Sequence, residues 1–285
     1  MQKKEKQLRA LDALTAYGIS LILNVICSMI LYRLIGVYAF YLGYALVAST
    51  VTVIACITRL KSTAVFKFGR VGVKDTVASG LLLAGALLVS FPIILLIQII
   101  LPDFAAAGFN VMSLVSASEL KYLHVVLLVL FSSISECMLF DGYIYTRMAK
   151  TARLISVSAV IGLSYALFRH DLYFLVPLFV IEAAIVYVRN RVGNSTLPLV
   201  MHMIINTAVI AFTDVAANAD ALFGAEMGLV NVIGMGMILI GAALPVTAMG
   251  MRLLGDLKGR PVFQKALVLM IALVLIASGY AVSRL

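Results

Sequence analysis

The sequence predicts an all-α polytopic membrane protein, a transmembrane helix bundle of about nine spans with eight as the alternative count. Of its 285 residues, 63% are hydrophobic and only 12% are charged, and the mean hydropathy is +1.10. The apolar residues form runs of about twenty, the length that a helix needs to cross roughly 30 Å of hydrocarbon. The net charge of +9 lies in short clusters between these runs. This pattern excludes a soluble enzyme, a disordered chain and a nucleic-acid-binding domain, so we expect no nucleic-acid partner.

The candidate spans follow from cutting the sequence at its charged clusters. They run approximately over residues 13–35, 37–58, 76–101, 122–146, 154–168, 172–188, 196–213, 228–249 and 266–282. No internal repeat, low-complexity tract or long linker interrupts the chain. We therefore expect one membrane-embedded domain over residues 1–285.

The basic residues predict the orientation of these spans, because lysine and arginine collect in cytoplasmic loops. Alternating nine spans from a cytoplasmic N-terminus places 18 of the 22 basic residues inside. The first apolar run is as long as a full span and lacks a small-residue cleavage site, so we interpret it as a retained helix. We expect an integral protein of a bacterial inner membrane with its N-terminus in the cytoplasm.

Ionisable side chains within the apolar runs are the candidates for a functional site. Such a side chain near the bilayer centre costs about 3 kcal/mol or more, so those that persist mark either a site or a buried structural pair. They are Glu136 and Asp141 in the fourth span, Arg169, His170 and Asp171 at the end of the fifth, Glu182 in the sixth, and His202 with the amide Asn206 in the seventh.

Helical rise predicts which of these side chains lie at the same depth. Glu136 precedes a basic cluster by 11 residues and His202 follows another by 11 residues, which places both at about 16 Å from the cytoplasmic boundary. His202 and Asn206 are four positions apart and share one helical face. His170 lies 17 residues from the basic cluster before its span, about 25 Å in an untilted helix. A tilted fifth span would bring it closer to the others.

A carboxylate, two imidazoles and a carboxamide in a low-dielectric cavity suit the cleavage of an amide by water. We expect Glu136, helped by His170, to accept a proton from the attacking water as a general base. His202 and Asn206 would donate hydrogen bonds to the developing oxyanion. A carboxamide suits this role because it donates without titrating.

Other interpretations of the same residues stay open. Polar side chains in membrane bundles often only join helices. A secondary transporter would also bury Glu136, Asp141 and Glu182, since acids at mid-membrane couple ion movement. Glu136, His170 and His202 have the chemistry to ligate a metal, although the chain lacks the H-E-x-x-H pattern of zinc proteases. We expect no metal and no other cofactor.

Three motifs in this region resemble those of the CPBP family, the CAAX protease and bacteriocin-processing or Abi proteins. The family pattern is Glu-Glu-x-x-x-Arg-Gly on one helix, then aromatic-x-x-x-His, then His-x-x-x-Asn. The corresponding stretches here are ECMLFDG (136–142), ALFRH (166–170) and HMIIN (202–206). The resemblance covers approximately residues 122–213, the predicted CPBP-like core.

The first motif departs from the family pattern at two positions. Glu136 matches the first glutamate, whereas Cys137 replaces the second glutamate and Asp141 replaces the arginine. On an α-helix those two family residues are four apart and can form an ion pair, so their joint loss removes a supporting pair and spares the base. Asp141 then needs a partner, for which we expect Arg147 or Arg169.

A second register of this motif aligns Ser135 and Glu136 with the glutamate pair, which removes the base. The first register is preferred because it retains Gly142. The resemblance implies a membrane endopeptidase that acts on prenylated or otherwise membrane-associated peptides, with membrane lipids and a peptide substrate as its partners. Cys137, Asp141, Arg169 and Glu182 are the expected supporting residues. The alternative is a catalytically inactive relative, a membrane scaffold or immunity protein.

Overall fold

The computed structural model describes residues 2–60, 67–101, 120–149, 152–169, 174–217, 228–256 and 262–283, and its regular structure over these residues is helical throughout. The predicted all-α class is confirmed. Nine long helices in this part of the chain fall on the nine candidate spans. They are α1 (Gln2–Val25), α2 (Tyr38–Ile57), α3 (Val73–Ile100), α4 (Lys121–Glu136), α5 (Leu154–Phe168), α6 (Leu175–Val192), α7 (Thr196–Ala217), α8 (Leu229–Leu253) and α9 (Val262–Val282).

Length and composition place eight of these nine helices in two groups, and α6, which carries Glu182, Arg189 and Arg191, belongs to neither. Five described helical segments are long and apolar enough to cross a membrane: Arg9–Ile35, Tyr38–Ile57, Val73–Ile97, Tyr122–Met148 and Leu229–Leu253. Three shorter apolar helices are Leu154–Phe168, Thr196–Val209 and Ala266–Val282. Many large apolar side chains are exposed on these helices, as expected where lipid is the solvent. The protein is an integral membrane protein.

Within the described parts of the chain, two helices contain π-helical segments. α1 continues through the π-helical residues Ile26–Leu31 and a last turn, Tyr32–Ile35. α4 continues through Cys137–Ile144 and ends with the turn Tyr145–Met148. All eight residues of the second segment, here called the π segment, are buried. Its hydrogen bonds run from residue i to residue i+5, a geometry that is frequent at functional sites.

The centre of the bundle is an aromatic cluster beside the π segment. The rings of Phe140 and Tyr165 meet edge to face with centroids 5.3 Å apart, and those of Phe140 and Phe168 do so at 5.5 Å. All three side chains are fully buried. Edge-to-face contacts of this kind add to the stabilisation from burial. The cluster therefore fixes α5 against the π segment.

α8 and α9 approach each other at glycines. A Cβ atom on Gly234 of α8 would lie 2.7 Å from the carbonyl oxygen of Gly279 in α9 and 2.8 Å from the backbone nitrogen of Ser283. Small residues at such crossings let helix backbones come into contact, which is a common way of packing helices in membranes. α8 also packs on α3, which in turn contacts α6.

The first two helices contact the α4–α5 region through polar groups. The Asn24 side-chain amide in α1 donates a hydrogen bond of 2.9 Å to the carbonyl oxygen of Phe168, the last residue of α5. The hydroxyls of Thr58, just after α2, and Tyr143 in the π segment are 3.2 Å apart. Helices from the N-terminal part of the chain thus support the end of α5 and the π segment.

Candidate active site

α4 and α7 bring three of the predicted site residues into contact. The Asn206 Nδ2 atom donates a hydrogen bond of 3.0 Å to the Glu136 Oε2 atom. The His202 Nδ1 atom lies 3.5 Å from the same carboxylate oxygen. Glu136 and His202 are 0% exposed and Asn206 is 2% exposed. The carboxylate, the imidazole and the carboxamide therefore share one buried site.

The C-terminal end of α5 supplies two further partners for Glu136. Arg169 Nη1 donates a hydrogen bond of 2.7 Å to Glu136 Oε1, and the hydroxyl of Tyr165 donates a longer one of 3.3 Å to Oε2. Arg169 retains 17% exposure of its side chain. The ion pair therefore runs from the buried carboxylate towards the edge of the bundle, and charge-assisted bonds of this kind are the strong ones.

Asp141 contacts His202. The His202 Nε2 and Asp141 Oδ2 atoms are 2.8 Å apart, and both side chains are fully buried. The prediction that Asp141 forms an ion pair with Arg147 or Arg169 is wrong. Arg147 lies 3.4 Å from the carboxylate of Asp12, and Arg169 binds Glu136.

The π segment explains how Glu136 and Asp141 contact the same imidazole. At 3.6 residues per turn, two residues five apart on an α-helix point about 140° away from each other. In a π-helix residue i bonds to residue i+5, so side chains five apart lie nearly above one another. Glu136 immediately precedes the π segment and Asp141 lies within it. His202 therefore lies between two carboxylates, one at each ring nitrogen.

Glu182 of α6 completes the buried group. Its Oε2 atom lies 3.8 Å from His202 Nε2, and it is 0% exposed. Neither carboxylate oxygen accepts a hydrogen bond from the part of the chain that the structure describes. Arg189, about two helical turns after Glu182 on the same face of α6, donates its Nε hydrogen to the backbone oxygen of Asp141 at 3.1 Å. Three acidic side chains therefore surround one histidine.

One comparison with known proteins bears on this site. Residues 118–208 match the family described as type II CAAX prenyl endopeptidase Rce1-like. This segment is similar to the type II CAAX prenyl endopeptidases. The resemblance predicted from the three motifs is thereby confirmed for these residues. No curated protein and no solved structure matches the chain.

The endopeptidase-like segment also contains site residues that the motifs did not predict. Asn206 Nδ2 lies 2.9 Å from Ser132 Oγ and 3.0 Å from Ser133 Oγ, both on α4. A run of serines just before Glu136 in an apolar helix was the available signal. Tyr165 carries a weaker signal, a tyrosine four residues before Arg169 on one face of α5.

Three residues singled out from the sequence are outside the contacts described above. His170, the expected helper of Glu136, lies outside the described residues, as does Asp171. Cys137 is buried with its Sγ atom 3.7 Å from the backbone oxygen of Ser195, at the start of α7. Cys137 thus packs against the turn between α6 and α7.

Proposed function

We propose that the protein is an intramembrane endopeptidase that hydrolyses a peptide bond in a membrane-associated or lipid-modified peptide. The observation that carries this proposal is the buried contact of Glu136 with both His202 and Asn206. These residue types lie at the positions of the family motifs, and the segment that holds them is similar to the type II CAAX prenyl endopeptidases. Membrane lipids and a peptide at the membrane are the partners that this function requires.

Glu136 is the general base in this proposal. Arg169 binds Oε1, so the proton from the attacking water goes to Oε2, next to His202 and Asn206. The Asn206 Oδ1 and His202 Nδ1 atoms are buried and have no hydrogen-bond partner among the described residues. Both therefore have capacity to orient a water beside the carboxylate. His170, the residue after Arg169, assists this proton transfer in the proposal.

The developing oxyanion is stabilised by the amide of Asn206 and the imidazole of His202. A preorganised donor in a site without bulk water contributes more than it would in water. Only the doubly protonated imidazolium donates from both ring nitrogens at once. The carboxylate of Asp141 at Nε2 stabilises that charged form. The Nδ1–H, which has no hydrogen-bond partner among the described residues, is then the donor to the oxyanion.

The test is hydrolysis of peptides by the purified protein in lipid vesicles. A panel would pair each farnesylated C-terminal peptide with the same sequence lacking the lipid, and mass spectrometry would identify products. We expect E136Q to lower kcat by about 100-fold or more, because the general base is lost. N206A should lower it by about 100-fold. D12N, which removes an acid that pairs with Arg147 away from the site, should retain activity. Equal turnover by the wild type and E136Q would overturn the assignment of the base.

A second candidate function is a membrane protein that binds such peptides without cutting them. The ion pair of Glu136 with Arg169 favours it, because a carboxylate held by a guanidinium is a weaker base. The same vesicles distinguish the two functions. Saturable binding of a farnesylated peptide, with no product from any peptide of the panel, would support the binding protein and contradict the peptidase.

A further inference from the structure

We propose that Asp141, Glu182 and His202 form a binding site for one divalent first-row transition-metal cation. The three side chains come from the π segment, α6 and α7, so the site joins three elements. It departs from our expectation that no metal takes part. It can be tested apart from the proposed hydrolysis, because binding of a cation is measured without a peptide. A cation on His202 Nε2 would take the place of the proton there and leave the Nδ1–H as a donor.

The spacing of the donor atoms fits a metal. One atom from each side chain lies within 4.8 Å of the others. The His202 Nε2 atom is 2.8 Å from Asp141 Oδ2 and 3.8 Å from Glu182 Oε2. Ligands about 2.0–2.2 Å from a tetrahedral metal lie roughly 3.3–3.6 Å from one another. The two observed separations lie on either side of that range, so small side-chain movements suffice to bind a cation.

The unpaired carboxylate oxygens support a metal site independently of the donor spacing. Both oxygens of Glu182 and the Oδ1 atom of Asp141 are buried and accept no hydrogen bond from the described residues. Burying an ionised carboxylate without a partner is costly, and such groups are normally paired or coordinate a metal. A cation among these oxygens would supply the missing partner for both side chains.

The neighbouring arginines do not supply that charge. Arg169 binds the carboxylate of Glu136. Arg189 donates to the backbone oxygen of Asp141 and lies over the ring of Tyr145 at 5.3 Å. Neither guanidinium is hydrogen bonded to Glu182 in the structure described. Among the described residues, the imidazole of His202 is therefore the one possible cationic partner that the carboxylates of Asp141 and Glu182 have in common.

Glu136 lies where it would act as an outer partner of this site, a side chain that contacts the ligand His202 and not the metal itself. With His202 Nε2 on the metal, the other ring nitrogen, Nδ1, faces Glu136 Oε2 at 3.5 Å. Histidines that ligate metals usually donate their second N–H to such a carboxylate, which fixes the ring. An imidazole with two carboxylates suits Zn²⁺ or Mn²⁺, because Mg²⁺ and Ca²⁺ prefer ligand sets made of oxygen alone.

The experiment is a metal titration without peptide. Chelator-treated protein in detergent would be titrated with Zn²⁺, Mn²⁺ and Mg²⁺ by calorimetry, and bound metal would be counted by elemental analysis. We expect about one Zn²⁺ or Mn²⁺ per chain and much weaker binding of Mg²⁺. E182Q and D141N should each weaken binding by about 100-fold or more, since even outer partners are worth about 10- to 100-fold. D12N is the matched control, a carboxylate-to-amide change outside the site that should bind like the wild type.

Size-exclusion elution and circular dichroism would show that the variants are folded. If one of them is not, the wild type still decides the question, because a cation that binds only the folded state raises Tm. A Tm that Zn²⁺ and Mn²⁺ leave unchanged, together with no detectable heat of binding, would overturn the proposal. So would binding by folded E182Q and D141N at wild-type affinity. Metal binding without hydrolysis would contradict only the peptidase, and hydrolysis by metal-free protein that binds no cation would contradict only the metal site.

Discussion

The two carboxylate oxygens of Glu136 have different surroundings. Oε1 accepts a charge-assisted hydrogen bond from Arg169, whereas Oε2 faces neutral donors and the His202 ring. A carboxylate that is 0% exposed needs such a partner, because an isolated buried charge is strongly destabilising. Arg169 therefore contributes to stability through Glu136 as well as to the electrostatics of the site.

This pairing predicts a large loss of stability in R169M. We expect the free energy of unfolding to fall by about 3 kcal/mol, because removing one partner leaves the other charge buried and unpaired. The double variant R169M/E136Q should recover most of that loss, since it removes both charges. Unfolding by denaturant in micelles, followed by circular dichroism, measures both changes.

A more exposed ion pair provides the control for R169M. Arg191, with 39% side-chain exposure, pairs with Asp256, and R191M should cost about 1 kcal/mol or less. Equal losses in R169M and R191M would contradict the role given to burial. So would a double variant less stable than R169M alone.

At the level of single elements, the π segment determines which side chains meet. The sequence predicted that Glu136 and His202 share a depth, because helical rise alone fixes depth. It did not predict the contact of Asp141 with His202. That contact depends on a change from α to π geometry, which apolar periodicity does not reveal. The same limit applies to Glu182, whose place beside His202 depends on how α6 packs against α7.

The glycines of α8 and α9 give a prediction for helix packing. G234A should lower Tm, because its Cβ would lie 2.7 Å from the carbonyl oxygen of Gly279. G80A in α3 is the matched control, since nothing lies within 4 Å of a Cβ there. It should leave Tm unchanged or raise it, because alanine favours a helix by up to about 1 kcal/mol over glycine.

Thermal unfolding of the two alanine variants in the same detergent tests this packing. Both substitutions add one methyl group to a helical glycine, so helix propensity changes in the same direction in each. A fall in Tm for G234A, with no fall for G80A, is the expected result. If Tm falls by the same amount in both variants, the close approach of α8 to α9 is not the reason why alanine is unfavourable at position 234.

At the scale of the whole molecule, the positions of the helices were predictable from the sequence. Backbone groups have no water to bond in the bilayer core, so long apolar runs must be helical. α5 falls on the predicted span 154–168, and α2 lies within 37–58. The order of neighbours around the bundle was not predictable in this way. It depends on side-chain contacts such as Asn24 with Phe168, which join residues 144 positions apart.

The span count and the charge pattern together predict the sides of the two termini. Nine crossings from a cytoplasmic N-terminus put the C-terminus on the opposite face, whereas eight crossings would put both termini on one face. Fusions of alkaline phosphatase and green fluorescent protein to each end, expressed in bacteria, would report the side. We expect fluorescence from the N-terminal fusion and phosphatase activity from the C-terminal one. Cytoplasmic signals from both ends would contradict nine crossings.

The hydrogen bond from Asn24 to the Phe168 carbonyl limits any attempt to shorten this protein to its family-like segment. Residues 118–208 contain Glu136, Tyr165, Arg169 and His202, yet the donor that satisfies the end of α5 comes from α1, outside that segment. If the segment alone were transplanted into another scaffold, the Phe168 carbonyl, one residue before Arg169, would lose the hydrogen bond from Asn24. Engineering of the candidate site in this chain must therefore keep the first helix together with α4, α5 and α7.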